Sequence, residues 1–328
     1  MPQINGQEVG RTGYGLMGFT WRPSPPPQEQ AFEAMRAAIQ NGMIFWNGGE
    51  FYGTDEYNSM TLLDRYFEKY PEDADKVVLS IKGAFWMSPY PHADGSREGI
   101  RKSVDNVLKQ LNGRKKVDIF ECARRDPNTP LEVTFAALQE YIDQGLIGGI
   151  SLSEVSASTI HEAVKHAKIS AVEVELSLFT PDVLTNGVAA ACAQYNIPLV
   201  AYAPLGWGIL TGQFRSQDDV PEHLRQFERF YPENFDNNLQ LFNLVNDLAK
   251  RKGCTPAQLA LSWVRCLSRR PGMPKTIIPI PGATTAARVN ENAQHFDLTD
   301  AEMDQLDEVL AKFEAKGARY AAGYPTNT

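Results

Sequence analysis

The sequence predicts an α/β protein, a single (β/α)8 barrel of the TIM type over residues 1–328, with a long insert after the seventh strand and an extra C-terminal helix. Three observations carry this. Short apolar or β-branched runs of strand length recur along the chain. Stretches with apolar residues at helical spacing lie between them, the pattern of a parallel sheet with crossover helices. Eight such units fit a closed barrel better than an open sheet.

Taken in order, the strands fall at about 13–17, 43–47, 77–82, 117–122, 147–152, 171–176, 197–202 and 276–280. The first clear helix is 29–40, where Ala31, Phe32, Met35, Ala38 and Ile39 make one face. Residues 97–111, 130–145, 156–167 and 183–195 repeat the pattern, with Pro130 and Pro181 near helix starts, where proline is tolerated. The stretch 203–275 is too long for one crossover and holds two helical patterns, 239–252 and 256–268. The tail 299–314 is one more helix, opened by Thr299 with Glu302 three residues on, a capping box.

Composition narrows the class. With 43% hydrophobic and 22% charged residues, a chain of 328 residues buries a large core, which excludes a disordered or disulfide-stapled protein. The net charge of −8 lacks the basic stripe of a nucleic-acid binder, and Arg114-Lys115-Lys116 reads as a solvated turn before a strand. Cys122, Cys192, Cys254 and Cys266 form no C-x-x-C pair and are expected as free thiols in a reducing compartment. No signal peptide, membrane-spanning run or sorting address is evident, so the expectation is a cytoplasmic protein with no obligate protein partner. None of the five histidines pairs at metal-ligand spacing, and no metal is expected.

One motif misleads. Gly13-Tyr14-Gly15-Leu16-Met17-Gly18 spells G-x-G-x-x-G. A dinucleotide fingerprint needs a helix opening at that turn to receive phosphate. Pro23, Pro25, Pro26 and Pro27 follow instead, and the next helix is expected only near Pro27–Gln28. The glycines are read as a first barrel strand whose small residues let the backbone approach a ligand.

A barrel of this kind carries its chemistry at the C-terminal ends of its strands. Asn47-Gly48-Gly49-Glu50-Phe51-Tyr52-Gly53 follows the second strand, and Lys82 closes the third. Lysine is seldom buried without a partner. A tyrosine alone has a pKa near 10, and a nearby ammonium lowers it. Tyr52 with Lys82 is therefore a candidate proton donor to a carbonyl oxygen. Trp21, Phe51, Trp86 and Trp207 lie on loops after strand ends and are candidates to line a pocket for a planar substrate. Arg124 is a candidate contact for an anionic oxygen on that substrate.

These segments resemble the aldo-keto reductases. Asn47 to Gly53 is similar to the family's Asp-x-Ala-x-x-Tyr-Gly motif, and Lys82 falls at its active-site lysine. Ile150-Ser151-Leu152-Ser153-Glu154 resembles the fifth-strand segment whose serine holds the nicotinamide carboxamide. Ala201 to Gly212 is similar to the seventh-strand segment, where the tyrosine stacks on nicotinamide and the loop covers the pyrophosphate. Ile278 to Asn292 is similar to the NADP-binding segment. The resemblance implies NADPH as cofactor, held by Leu16, Met17, Ser153, Glu173, Tyr202, Pro204, Leu205, Gly206, Gly208, Leu210, Gly212, Ile280, Gly282, Thr284, Arg288, Glu291 and Asn292, with Tyr52, Lys82 and Asn47 as catalytic residues.

Gly13 to Arg22, Phe45 to Gly53, Val117 to Asp126 and Val172 to Phe179 further resemble the fungal pyridoxal reductases, which reduce pyridoxal to pyridoxine with NADPH. Two alternatives stay open: a reductase of other aldehydes, and a weakly catalytic NADP-binding regulatory barrel. The departures from the wider family agree with the pyridoxal reductase branch, and the loss of two tetrad residues is what leaves the regulatory barrel open. Asn47 stands at the aspartate of the family's tetrad and Ala123 at its histidine. Glu173 stands where many members have a glutamine, and Thr285 where many have a lysine, so the 2′-phosphate would rest on Arg288 with Thr284 in support.

Overall fold

The computed structural model describes residues 2–88, 90–320 and 324–328. Two short strands, β1 (Gln3–Ile4) and β2 (Gln7–Glu8), form an antiparallel hairpin ahead of the barrel. The barrel strands are β3 (Tyr14–Gly15), β4 (Phe45–Gly49), β5 (Val78–Gly83), β8 (Ile119–Cys122), β9 (Ile150–Ser153), β10 (Ile169–Glu175), β11 (Leu199–Tyr202) and β12 (Ile277–Pro279). They pair in that order, every pair parallel. A second hairpin, β6 (Phe85–Trp86) with β7 (His92–Ala93), stands just beyond the end of β5.

The first and last strands close the ring. The Gly13 N–H donates to the Pro279 carbonyl at 2.9 Å and the Gly15 N–H to the Pro281 carbonyl at 3.3 Å. A Cβ on Gly15 would sit 2.9 Å from the Ile280 carbonyl oxygen, and one on Gly13 2.8 Å from the Phe45 carbonyl oxygen. The first-strand glycines thus serve strand-to-strand closure, which corrects the expectation that they clear space for a ligand. Prolines fit on β12 because their carbonyls accept here while a missing N–H costs nothing.

Around the strands lie α2 (Gln28–Gln40), α3 (Ser59–Lys69), α4 (Arg97–Leu111), α5 (Leu131–Asp143), α6 (Ala157–Ala163), α7 (Val188–Gln194), α9 (Pro256–Cys266) and α10 (Ala286–Ala293). The insert carries α8 (Pro232–Lys252), and α11 (Asp300–Lys312) begins with the capping box at Thr299 and Glu302. The sequence places α8 seven residues late, because its first turns are polar and show no apolar period. It also gives one helix over 183–195 where the chain breaks at Gly187, whose φ is +92°. A four-residue helix, α1 (Met17–Thr20), follows the G-x-G run directly. The proline argument holds for a longer helix but misses this turn, which ends before Pro23.

Strand alternation sorts the barrel interior into levels. Phe45, Val78, Ile119, Ala171, Val200 and Ile278 pack as one apolar cluster, plugged by Ile4 and Val9 of the hairpin region. Two residues further along their strands stand Asn47, Ser80, Glu121, Glu173 and Tyr202, which therefore share the interior side. The interior passes from hydrocarbon at one end to charge at the other within a single step of the pleat.

Candidate active site

The charged end centres on Lys82, which is 4% exposed. Its ammonium donates to Asn47 Oδ1 at 3.2 Å and to Glu173 Oε1, and lies 3.4 Å from Glu121 Oε1. The Asn47 amide donates to Glu121 Oε1 at 2.9 Å and to Glu173 Oε2 at 2.7 Å. One cation thus meets two buried carboxyl groups through a shared amide. Burial pulls the lysine's pKa down, but Glu173, Tyr52 and Glu121 outweigh it and hold the ammonium firmly protonated. Burial and the Glu121 charge push the Glu173 carboxyl well above the ordinary carboxylate range, against the pull of Lys82.

Tyr52 is placed from β4 by its own loop. Its N–H donates to the Gly49 carbonyl at 3.2 Å, while Thr20 Oγ1 and the Ser59 N–H donate to its carbonyl. The phenol ring lies on Gly49 so closely that a Cβ there would meet ring carbons at 2.8 Å. Trp21 stacks on Tyr52 with centroids 5.1 Å apart, and Phe51 meets the ring edge-on. The Tyr52 pKa is raised by burial; Lys82 and Arg124 pull it down while Glu173 and Glu121 push it up. This corrects the expectation of a net lowering by Lys82: the ammonium acts in the expected direction, but burial and two carboxyls exceed it. Tyr52 is a neutral phenol with its proton in place.

The aromatic wall differs from expectation at one residue. Phe85 packs on Phe51 at 5.3 Å, whereas Trp86 stacks on His92 with Lys102 over its ring. The hairpin turns one residue more toward the site than the sequence suggests. Trp207 packs on Phe227, which meets Tyr320 edge-on. Arg124 is committed to the C-terminal tail: its Nε donates to the Pro325 carbonyl at 2.7 Å and its Nη1 to the Ala123 carbonyl. Its guanidinium lies 5.3 Å from the Tyr324 ring centroid. The assignment of Arg124 to a substrate anion is therefore replaced by a role in seating the tail.

The nicotinamide elements fit a cofactor on two observations. The hydroxyl of Ser153, 1% exposed, has no hydrogen-bond partner among the described residues, and Glu121 Oε2 is likewise buried and unpartnered. The segment Gly206–Thr211 turns through positive φ at Gly206, Trp207 and Gly208, with Gly212 following at +77°. That path leaves Pro204 and Leu210 buried and Leu205 half-buried. Tyr202 stands at the end of β11 with its hydroxyl 2.6 Å from that of Tyr320. Leu16 caps α1, ahead of Met17, and Gly282 bridges Gly15 across the closure. Ile280 and Asn292 are buried, Glu291 lies half-buried on α10, and Thr284 stands one residue before the α10 cap. Arg288 is exposed, and no carboxylate pairs with it among the described residues. Glu173, expected at the carboxamide, is instead engaged by Lys82 and Asn47. Glu121 is the residue the sequence reading missed. Its signal was a charge inside Ile119–Cys122, two residues after an interior isoleucine.

Residues 11–311 match the model of the aldo/keto reductase family, and the chain belongs to that family. Members of this family work with a nicotinamide cofactor. A Schizosaccharomyces pombe protein named as a pyridoxal reductase is 41% identical over 98% of this chain and 97% of its own length. A Saccharomyces cerevisiae protein also named as a pyridoxal reductase is 40% identical over 94% of this chain and 95% of its own. Among solved structures, a glycerol dehydrogenase from Gluconobacter oxydans superposes with a TM-score of 0.82 at 21% identity, covering 96% of each chain, which is a likeness of fold. No helix among the described residues is long and apolar enough to cross a membrane, and no group of metal-ligating side chains occurs among them.

Proposed function

We propose that this chain is an NADPH-dependent aldehyde reductase, with pyridoxal reduced to pyridoxine as its reaction. The observation that carries the reading is the Tyr52 phenol, stacked on Trp21 and over Gly49 at the end of the barrel where Lys82 is buried among Asn47, Glu121 and Glu173. Its relatives named as pyridoxal reductases supply the substrate. A Schizosaccharomyces pombe relative, 32% identical over 98% of this chain and 94% of its own, is named for NADP(+). Exposed Arg288 beside Thr284 suits a 2′-phosphate. The unpaired cysteines keep the expectation of a cytoplasmic setting.

Bound against Ser153 and Tyr202, the cofactor would supply hydride to the carbonyl carbon. Tyr52 would give its proton to the carbonyl oxygen, and the phenolate left behind is met by the Lys82 ammonium. Trp21, Phe51 and Phe85 offer faces for a planar ring and exclude water from that oxygen.

Tyr52→Phe tests the proton transfer. The rate on pyridoxal should fall about 100-fold or more, the scale of general acid catalysis. NADPH binding, followed by fluorescence titration, should stay unchanged. Near-normal turnover by the variant would remove Tyr52 from the chemistry; binding of NADPH without turnover of pyridoxal by the wild type would favour the regulatory barrel.

A further inference from the structure

We propose that Glu121 and Glu173 form a carboxyl pair sharing one proton, and that this pair, bridged by Asn47, takes over from position 47 as the counter-ion that positions Lys82 beside Tyr52. The inference rests on the reading of Tyr52 as proton donor. Glu121 then acts through Lys82 and is a positioning residue.

An ammonium has three hydrogens and accepts nothing. Asn47 Oδ1 and Glu173 Oε1 accept from the Lys82 ammonium, and Glu121 Oε1 lies 3.4 Å from it, which leaves one hydrogen outside these hydrogen bonds. The two hydrogens of the Asn47 amide go one to each carboxyl group. An aspartate at 47, which the wider family carries, would turn two acceptor oxygens toward these carboxyls and supply no hydrogen to either. The asparagine and the two glutamates are therefore one interdependent set. The charge that the family places on the second strand has moved across the barrel to β8 and β10.

Charge balance adds the proton. Glu121 and Glu173 are 0% and 1% exposed, so water cannot screen them. Two carboxylates facing one buried cation and one amide leave one negative charge uncompensated, and two buried carboxyls that share a cation in this way do not both ionise. Glu121 Oε2, buried without a donor, is an acceptor in deficit. The high affinity of Glu173 for a proton agrees. The groups around the pair are Lys82 of β5, Asn47 of β4 and Tyr52 of the loop after β4, with the Tyr202 ring 5.7 Å from the Lys82 ammonium and Cys122 next to Glu121 on β8; Arg124 is a further cation acting on Tyr52. Sharing a proton makes the cluster neutral. If both carboxyls were ionised, their excess charge would oppose the tyrosinate that forms as Tyr52 gives up its proton.

The test uses ligand-free protein first. Infrared difference spectra at neutral pH, wild type against Glu121→Gln and against Glu173→Gln, should each show loss of one protonated-carboxyl C=O band. Either substitution leaves a single glutamate facing Lys82, and that glutamate ionises. A band that survives either substitution overturns the shared proton. Steady-state kinetics with pyridoxal and NADPH then test the positioning. Asn47→Asp alone crowds a third carboxylate around one ammonium and should lower kcat about tenfold or more, the effect of one pKa unit on Tyr52. The double variant Asn47→Asp/Glu121→Gln moves the carboxylate back to β4 and should recover most of that loss, with KM little changed. A double variant slower than Asn47→Asp alone overturns the coupled replacement. Full activity in Tyr52→Phe would sink the proton-donor reading instead, and would leave the infrared result standing.

Discussion

Two clusters of buried charge stand at the same end of the barrel, and they are built to different balances. Inside, Lys82 is the one cation among the described residues that pairs with Glu121 and Glu173. At the rim, Glu154 and Glu175 face two cations: Arg319 lies 3.0 Å from Glu154 Oε2 and 2.9 Å from Glu175 Oε2, and Arg229 lies 3.9 Å from Glu175 Oε1. The titration directions follow the balance at Glu154 and Glu173, while burial keeps the Glu175 carboxyl raised even with Arg319 and Arg229 beside it. Burial pushes the Glu154 carboxyl up, but Arg319 overcomes it and holds the pKa below the ordinary range. Burial and Glu121 push Glu173 well up, and one lysine does not overcome them. The rim cluster ties the insert, through Arg229, and the tail, through Arg319, to β10 and the turn after β9. The terminal Thr328 reinforces this, donating its N–H to the Glu154 carbonyl and accepting from the Ser156 N–H. A balanced cluster anchors chain segments. An acid-rich one keeps a proton available.

The largest test of this contrast is Lys82→Met. It strands two carboxyl groups with no cation, and breaking a buried pair costs about 3–5 kcal/mol. Without the lysine the Glu173 carboxyl, already raised by burial and Glu121, loses the one group that pulls it down and stands further above its unfolded value of about 4.3. The folded state then binds more protons, so stability is retained at low pH and lost as pH rises through the folded pKa. Urea unfolding should show the deficit at pH 8 shrinking toward pH 5. A deficit independent of pH would mean that the inner cluster is not acid-rich. Arg319→Ala should do less, about 1–3 kcal/mol, because Arg229 remains beside Glu175. Its signature should be local: faster proteolysis within residues 313–328, and a KM for pyridoxal that rises more than kcat falls. An Arg319 variant that loses kcat with its tail still protected would erase the distinction between the clusters.

The sequence makes the inner cluster partly legible and the rim cluster hardly at all. Lys82 stands out because a lysine closing an apolar strand demands a partner, and Asn47 precedes a tyrosine loop that the family resemblance marks. Glu121 passes unnoticed inside Ile119–Cys122, although strand alternation from Ile119 puts it on the interior side. Arg319 lies beyond α11 in chain with no apolar period, so nothing local ties it to Glu154, 165 positions away in sequence. The same limit hides the hairpin of β1 and β2, whose two-residue strands carry no pattern. Phe85 and Trp86 show the finest failure: one step along a strand exchanges the faces of two aromatic neighbours, and only the pairing of β6 with β7 decides which meets Phe51.

The smallest expected effect comes from giving the inner cluster a second group that can carry positive charge. Ala123 lies two residues after Glu121, and its N–H continues the ladder to the Gly83 carbonyl, so its side chain shares the interior side. It is 1% exposed. Ala123→His places an imidazole beside the carboxyl pair, where a nearby carboxylate favours the protonated ring. The added ring also fills space that a planar substrate would use, while its N–H can donate to a small carbonyl. Both effects favour a short aliphatic aldehyde over pyridoxal, so the kcat/KM preference for pyridoxal should narrow by a fewfold, about 1 kcal/mol or less. The charge effect is separable from the steric one. As pH rises past the imidazole's pKa the ring becomes neutral, the cluster returns to its acid-rich state and the electrostatic part of the change disappears, while the crowding remains. Kinetics of both aldehydes on wild type and variant, at pH 6 and pH 8 with saturating NADPH, should therefore show a larger change at the lower pH. A change equal at both values would leave crowding as its whole cause. A variant that improves pyridoxal alone would show that the space beside Ala123 does not receive the substrate ring.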